Sequence, residues 1–238
     1  MKKTVIILLV FLAVGNIAVS QSFLDKGKGL ITKVKGAGFS QEEAAKAIKE
    51  SLIKGTNSGT ETVSKTDGYF KSPEIKIPFP EDAKKVEQKL RTIGAGKKVD
   101  EVILSINRAA EMAAIEAKPI FITAIKQLTV RDAINIVRGE DDAATKYLDR
   151  TTNAILYEKF KPIIVSALEK TNATKHWKTV ITTYNKIPLI KKANPDLEDY
   201  VTKKAIYGLF IMIAREEKRI RKDPLARTTD LLKKVFGG

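Results

Sequence analysis

Val99-Asp100-Glu101-Val102-Ile103-Leu104-Ser105-Ile106-Asn107-Arg108-Ala109-Ala110-Glu111-Met112-Ala113-Ala114-Ile115-Glu116-Ala117 is the stretch that decides the fold. Val99, Val102, Ile103, Ile106, Ala110, Ala113 and Ala117 recur at helical spacing and build one face. Leu104 and Ile115 extend the apolar surface around the back. A helix that is apolar on nearly every side is a buried one. A second stretch of this kind, Ala205 to Ala214, lies within a helix expected from about Leu197 to Lys222. The acids of that helix fall at its start and its bases near its end, which suits the helix dipole. Two buried central helices need others to cover them, so the sequence predicts an all-α multi-helix bundle.

Outward from these two helices, the punctuation is mostly helical. Ser40-Gln41-Glu42-Glu43 reads as a capping box that opens a helix running through Leu52 at least. From Gly55 to Gly68 the chain turns to Gly, Thr and Ser, compatible with a frayed helix or a loop. In a short extended segment near residues 73–80, Ile75, Ile77 and Phe79 alternate with Lys76 and Pro78. Pro78 and Pro80 keep it out of any sheet centre. Pro80 with Glu81 and Asp82 starts a helix that ends near Gly94, and Pro119 starts another that reaches Leu128. Thr129 and Asp132 cap the next, which Gly139 terminates. Asp141-Asp142 opens a long helix that Pro162 is expected to kink or restart. Residues 172–186 carry the only histidine and tryptophan, and Asn194-Pro195-Asp196 caps the last long helix. Pro224 is expected to start a closing amphipathic helix through Leu231, Leu232 and Val235. Gly96, Lys118-Pro119-Ile120 and Ala124 are echoed by Gly139, Lys161-Pro162-Ile163 and Ala167; two copies fall short of a solenoid.

The N-terminus predicts where the protein works. Lys2 and Lys3 precede an uncharged apolar run from Thr4 to Val14, and Ala18-Val19-Ser20 offers small residues before Gln21. This is the pattern of a secretory signal peptide over residues 1–20, cleaved near Ser20-Gln21. The run is short for a membrane span, which needs about 20 apolar residues, and no later segment of the mature chain approaches that length. Residues 21–238 are then expected to form a single all-helical domain in the periplasm or outside the cell. The chain has no cysteine, so neither disulfides nor thiolate metal sites are available, and stability must come from the core. Lys+Arg is 43 against Asp+Glu 28, a formal net charge of +15. Such a balance favours anionic lipid or another envelope polyanion as partner. Aromatics are not interleaved with the basic clusters as single-stranded nucleic acid would require, and no specific nucleic-acid motif occurs.

Catalytic constellations are sparse. His176 is the only histidine, so neither a multi-histidine zinc site nor HExxH can form, and no Gly-x-Ser-x-Gly elbow is present. Gly94-Ala95-Gly96-Lys97-Lys98 fails as a phosphate loop, with Arg91 where glycine is needed and Lys98 where Ser or Thr is needed. No metal or cofactor is expected, and the chain reads as a non-enzymatic binding or structural envelope protein. What remains is a set of polar residues on apolar helices: Asn107, Arg108, Glu111, Arg150, Thr151, Glu216 and Arg227. They fit an internal salt-bridge network, for example Arg108 or Arg150 with Glu111 or Glu216, because a buried charge needs a partner. They also fit a polar cavity for a lipid or small polar ligand within the bundle, which would make the protein a carrier. A hydrolase using paired carboxylates such as Glu111 and Glu216 is a third reading.

The same strings carry a family resemblance. Ser72-Pro73-Glu74-Ile75-Lys76-Ile77-Pro78, Asn107-Arg108-Ala109-Ala110-Glu111, Glu116-Ala117-Lys118-Pro119 and Arg150-Thr151-Thr152 follow one another in order. Tyr200-Val201-Thr202, Gly208-Leu209-Phe210, Met212-Ile213-Ala214, Asp223-Pro224 and Val235-Phe236-Gly237 continue the series. From about Phe23 to Gly237 the chain resembles the bacterial family called domain of unknown function 4197. The resemblance implies an exported, all-helical, single-domain protein and brings no activity, substrate or cofactor. Tyr207 departs from the family pattern, which has an acid before the Gly-Leu-Phe string, and this weakens the idea that an acid there is essential.

Overall fold

The computed structural model describes residues 38–189 and 196–237. The expected signal segment 1–20, Lys191-Lys192 and Asn194-Pro195 lie outside the described residues. Helix α1 (Gln41–Val63) opens with the expected box: Ser40 Oγ accepts from the Glu43 N–H, and Glu43 Oε2 accepts from the Ser40 N–H. The helix runs straight through the Gly/Thr/Ser stretch. Gly55, Thr56, Gly59, Thr60 and Val63 are all buried. A Cβ at Gly59 would lie 3.6 Å from the Ile213 backbone nitrogen, so small residues let α1 approach a later helix closely. Packing gained there outweighs poor intrinsic propensity.

Residues 64–71 form a turn, and the segment expected to be extended near 73–80 begins with a second turn at 73–75, closed by the Lys76 N–H donating to the Ser72 carbonyl at 3.1 Å, before 76–80 run on without pairing as a strand. The alternation holds: Ile75, Ile77 and Phe79 are buried while Lys76 and Pro78 are exposed. A 3-10 turn at Glu81–Ala83 leads into α2 (Lys84–Thr92). Gly94, with φ +79, supplies the left-handed residue that reverses the chain. There follow α3 (Gly96–Ala114), α4 (Ala117–Gln127), α5 (Val130–Val137), α6 (Ala143–Lys170), α7 (Ala173–Asn185) and α8 (Leu197–Lys222). Thr129 and Asp132 make a second capping box, at the start of α5.

Two expectations need correction. Pro162 does not restart a helix: α6 continues through it for 28 residues, because Leu156, Phe160, Ile164 and Leu168 on either side bury one continuous stripe. Nor does the closing helix begin at Pro224. Pro224–Ala226 is a 3-10 turn, and α9 (Asp230–Phe236) starts anew behind Thr229, whose hydroxyl accepts from the Leu232 N–H. Asp223 accepts from the Leu225 N–H, which favours the tight turn.

Helices α3 and α8 are the central ones. The first packs mainly against α6 and α7, the second against α6 and α1. One continuous core joins Leu52, Ile106, Phe121, Leu148, Phe160 and Leu209. A smaller cluster of Ala47, Ile220, Ala226, Leu232 and Val235 fastens α9. Gly208 lies against the fully buried Tyr69, whose ring is so close that a Cβ would fall 2.6 Å from it. The Tyr69 hydroxyl donates to the Ala205 carbonyl at 2.7 Å. Burial pushes the Tyr69 hydroxyl pKa well up, with the Glu111 carboxylate adding to the shift.

Candidate functional site

Asn107, Arg108 and Glu111 share one face of α3 and hold the non-helical segment between α1 and α2. Glu111 Oε1 accepts from the backbone N–H groups of Tyr69 and Phe70, at 3.1 Å each. Arg108 reaches Glu111 Oε2 at 2.7 Å with one nitrogen and Asp67 Oδ1 at 2.6 Å with the other. These two carboxylates hold the Arg108 guanidinium pKa above its ordinary value, Glu111 most strongly. Asp67 adopts φ +71, a conformation Asp tolerates better than most residues, and this turns the chain toward Arg108. Asn107 acts as a surrogate strand: Oδ1 accepts from the Ile77 N–H at 2.9 Å, and Nδ2 donates to the Ile77 carbonyl at 2.8 Å. That pairing satisfies backbone which has no sheet to join.

A second anchor lies at the other end of α8, and its key residue was not among the candidates. Glu217, 3 % exposed, accepts from the N–H groups of Ala144 and Thr145 and from the Thr145 hydroxyl. It thereby caps the start of α6, where a carboxylate also suits the dipole. Arg221 pairs with it at 2.9 Å and also donates to the Ile136 carbonyl. Helical phase could have found it: Ile213, Glu217 and Ile220 follow the buried stripe, whereas Glu216 sits a step off. Glu216 pairs with Arg219 at 2.7 Å. Arg227 donates to the carbonyls of Ile220 and Arg221, closing the end of α8.

The seven candidates therefore do not gather in one cavity. Arg108 meets Glu111 as expected; Arg150 meets neither Glu111 nor Glu216. Arg150 and Thr151 lie on the outer side of α6. There Thr151 helps line an open trough of about 650 Å³ between α4 and α6. Its walls include Pro119, Ile120, Ala124, Ile155 and Ile163. At its Tyr147 end the trough adjoins a polar cleft of about 300 Å³ that contains Arg150. Arg150 stands over the Tyr147 ring at 5.7 Å.

A third feature is a basic end. Lys85 and Lys89 on α2, Lys97 and Lys98 on the first turn of α3, and Lys175 and Lys178 on α7 are all exposed. His176 Nδ1 lies 3.4 Å from Glu101 and ties the start of α7 to the start of α3. Nearby acids are already committed: Arg91 takes both Glu87 and Asp100, at 3.0 and 2.8 Å. Among the described residues these six lysines have no carboxylate within ion-pair distance. Ile93, in the turn between α2 and α3, is 51 % exposed. Among the described residues, no helix is long and apolar enough to cross a membrane.

No curated protein and no solved structure matches the chain. A family model does, over residues 38–237, a span that takes in both carboxylate anchors, the trough and the basic end. The chain belongs to the family described as Protein of unknown function (DUF4197).

Proposed function

We propose that this is an exported, non-enzymatic envelope protein that docks on anionic lipid surfaces through its basic end. The observation that carries the reading is the set of six exposed lysines on α2, α3 and α7, none with a carboxylate partner among the described residues, with exposed Ile93 in the turn between α2 and α3. Each lysine near an anionic surface is worth about 1 kcal/mol, and one inserted aliphatic side chain adds an apolar foothold. A hydrolase built on Glu111 and Glu216 ranks behind it: the first carboxylate is filled by two backbone N–H groups and a guanidinium, the second by Arg219. The export half of the reading rests on the signal pattern of residues 1–20 and is tested by fractionation with N-terminal sequencing of the mature chain.

Liposome flotation tests the docking half. Binding to vesicles containing phosphatidylglycerol should exceed binding to phosphatidylcholine vesicles and should weaken as salt rises. The double variant Lys97→Glu/Lys98→Glu should lower partitioning by about tenfold or more. Equal recovery with neutral and anionic vesicles would remove the reading.

A further inference from the structure

The trough between α4 and α6 is lined by Pro119, Ile120, Ala124, Ile155 and Ile163, with the exposed Glu116 and Lys159 also on its walls and Asp132 at its Tyr147 end. Thr129 and Asp132, just past the end of α4, lie with Tyr147 near the start of α6, so the two helices run antiparallel along it. Ile155 is 51 % exposed on the trough wall although the surrounding helices are well packed. The polar cleft at the Tyr147 end holds both Asp132 and Arg150, with Arg150 over the Tyr147 ring. Each lacks a counter-ion among the described residues. Asp132 accepts only from the N–H and hydroxyl of Thr129, at 3.2 and 2.6 Å, and Arg150 forms no ion pair. Lys146 in the same cleft is committed to Glu140 and Asp142, at 2.7 and 3.0 Å. An unpaired guanidinium and a carboxylate without a cation, both in the cleft beside this trough, complement a zwitterionic head on a single chain.

We infer that this trough binds a zwitterionic lysophospholipid. Its acyl chain lies against Ile120, Ile155 and Ile163, its phosphate on Arg150, and its ammonium group toward Asp132. Guanidinium–phosphate pairing is charge-assisted and directional, and a trough of this size is in the ordinary range for a small-molecule site. The site lies apart from the lysines of the basic end and does not depend on the docking reading.

The test is titration of the full chain with lysophosphatidylcholine below its micelle concentration, followed by calorimetry and native mass spectrometry. Saturable one-to-one binding is expected. Ile155→Glu should abolish it, and Arg150→Gln should weaken it about ten- to hundred-fold, the loss of a hydrogen-bonded charge contact. A long-chain carboxylate and a nonionic alkyl glucoside should both bind more weakly than the zwitterion. Both substituted side chains are exposed, so unchanged thermal unfolding of the variants certifies the fold. Three results would each overturn the inference. One is wild-type affinity in Ile155→Glu or in Arg150→Gln. Another is a carboxylate that binds as tightly as the zwitterion. The third is a dimer of this chain, seen by sedimentation equilibrium, that Ile155→Glu dissolves.

Discussion

Arg108 and Arg150 are both arginines within long helices, yet they live in opposite surroundings. Arg108 is partly buried between Glu111 and Asp67, and its nitrogens are used up in holding the 64–80 segment to α3. Arg150 is exposed and has an aromatic face, but among the described residues no carboxylate lies within ion-pair distance of it. The difference teaches that an arginine's role follows from what the fold places within four ångströms of it. One closes a structural circuit, and the other leaves a charge available to something outside the chain.

The sharpest way to break the comparison is at Glu111. Glu111→Ala removes the acceptor for two backbone N–H groups and leaves Arg108 with Asp67 alone. A loss of about 3–5 kcal/mol is expected, the cost of opening a buried pair, read from urea unfolding. Asn107→Ala should come next, at about 1–3 kcal/mol, because the Ile77 N–H and carbonyl lose their partner in the core. Increased proteolysis between residues 64 and 80 would accompany both.

Asp67 sharpens the contrast through pH. Lys71 and then Arg108 hold its carboxyl below the ordinary value of 3.8. A carboxylate lowered on folding stabilises the native state above its unfolded pKa and loses that contribution as pH falls through the folded value. Asp67→Asn should therefore be less stable than wild type at neutral pH, with the gap closing below about pH 3.8. Unfolding curves at neutral and acid pH read it directly. Arg150→Gln is the smallest effect, within about 0.5 kcal/mol at every pH, since no protein carboxylate depends on it. A large destabilisation there would show that Arg150 belongs to the same kind of circuit as Arg108.

Most helices were legible because apolar periodicity and end signals agreed. Ser40 with Glu43, Thr129 with Asp132, and Asp196 each cap where the residue types predicted. The later half of α1 was not legible, since Gly55 and Gly59 lower helix propensity locally and become favourable only against α8. Of the candidate cluster, the Arg108–Glu111 pair was readable from a three-residue spacing. Asp67 was hidden in a turn, and Glu217 was passed over for its neighbour Glu216, although helical phase separates them.

By itself the sequence determined an all-helical chain with two buried central helices, a short apolar extended edge and a strong positive surplus. These follow from periodicity, caps and charge, which are local quantities. Only tertiary structure decided which acids sit beside which donors, because partners such as Asp67 and Arg108, or Glu217 and Thr145, are brought together by packing across long stretches of chain. It also decided that α4 and α6 leave an open trough along their seam, since how two helices sit side by side is a property of everything else they pack against.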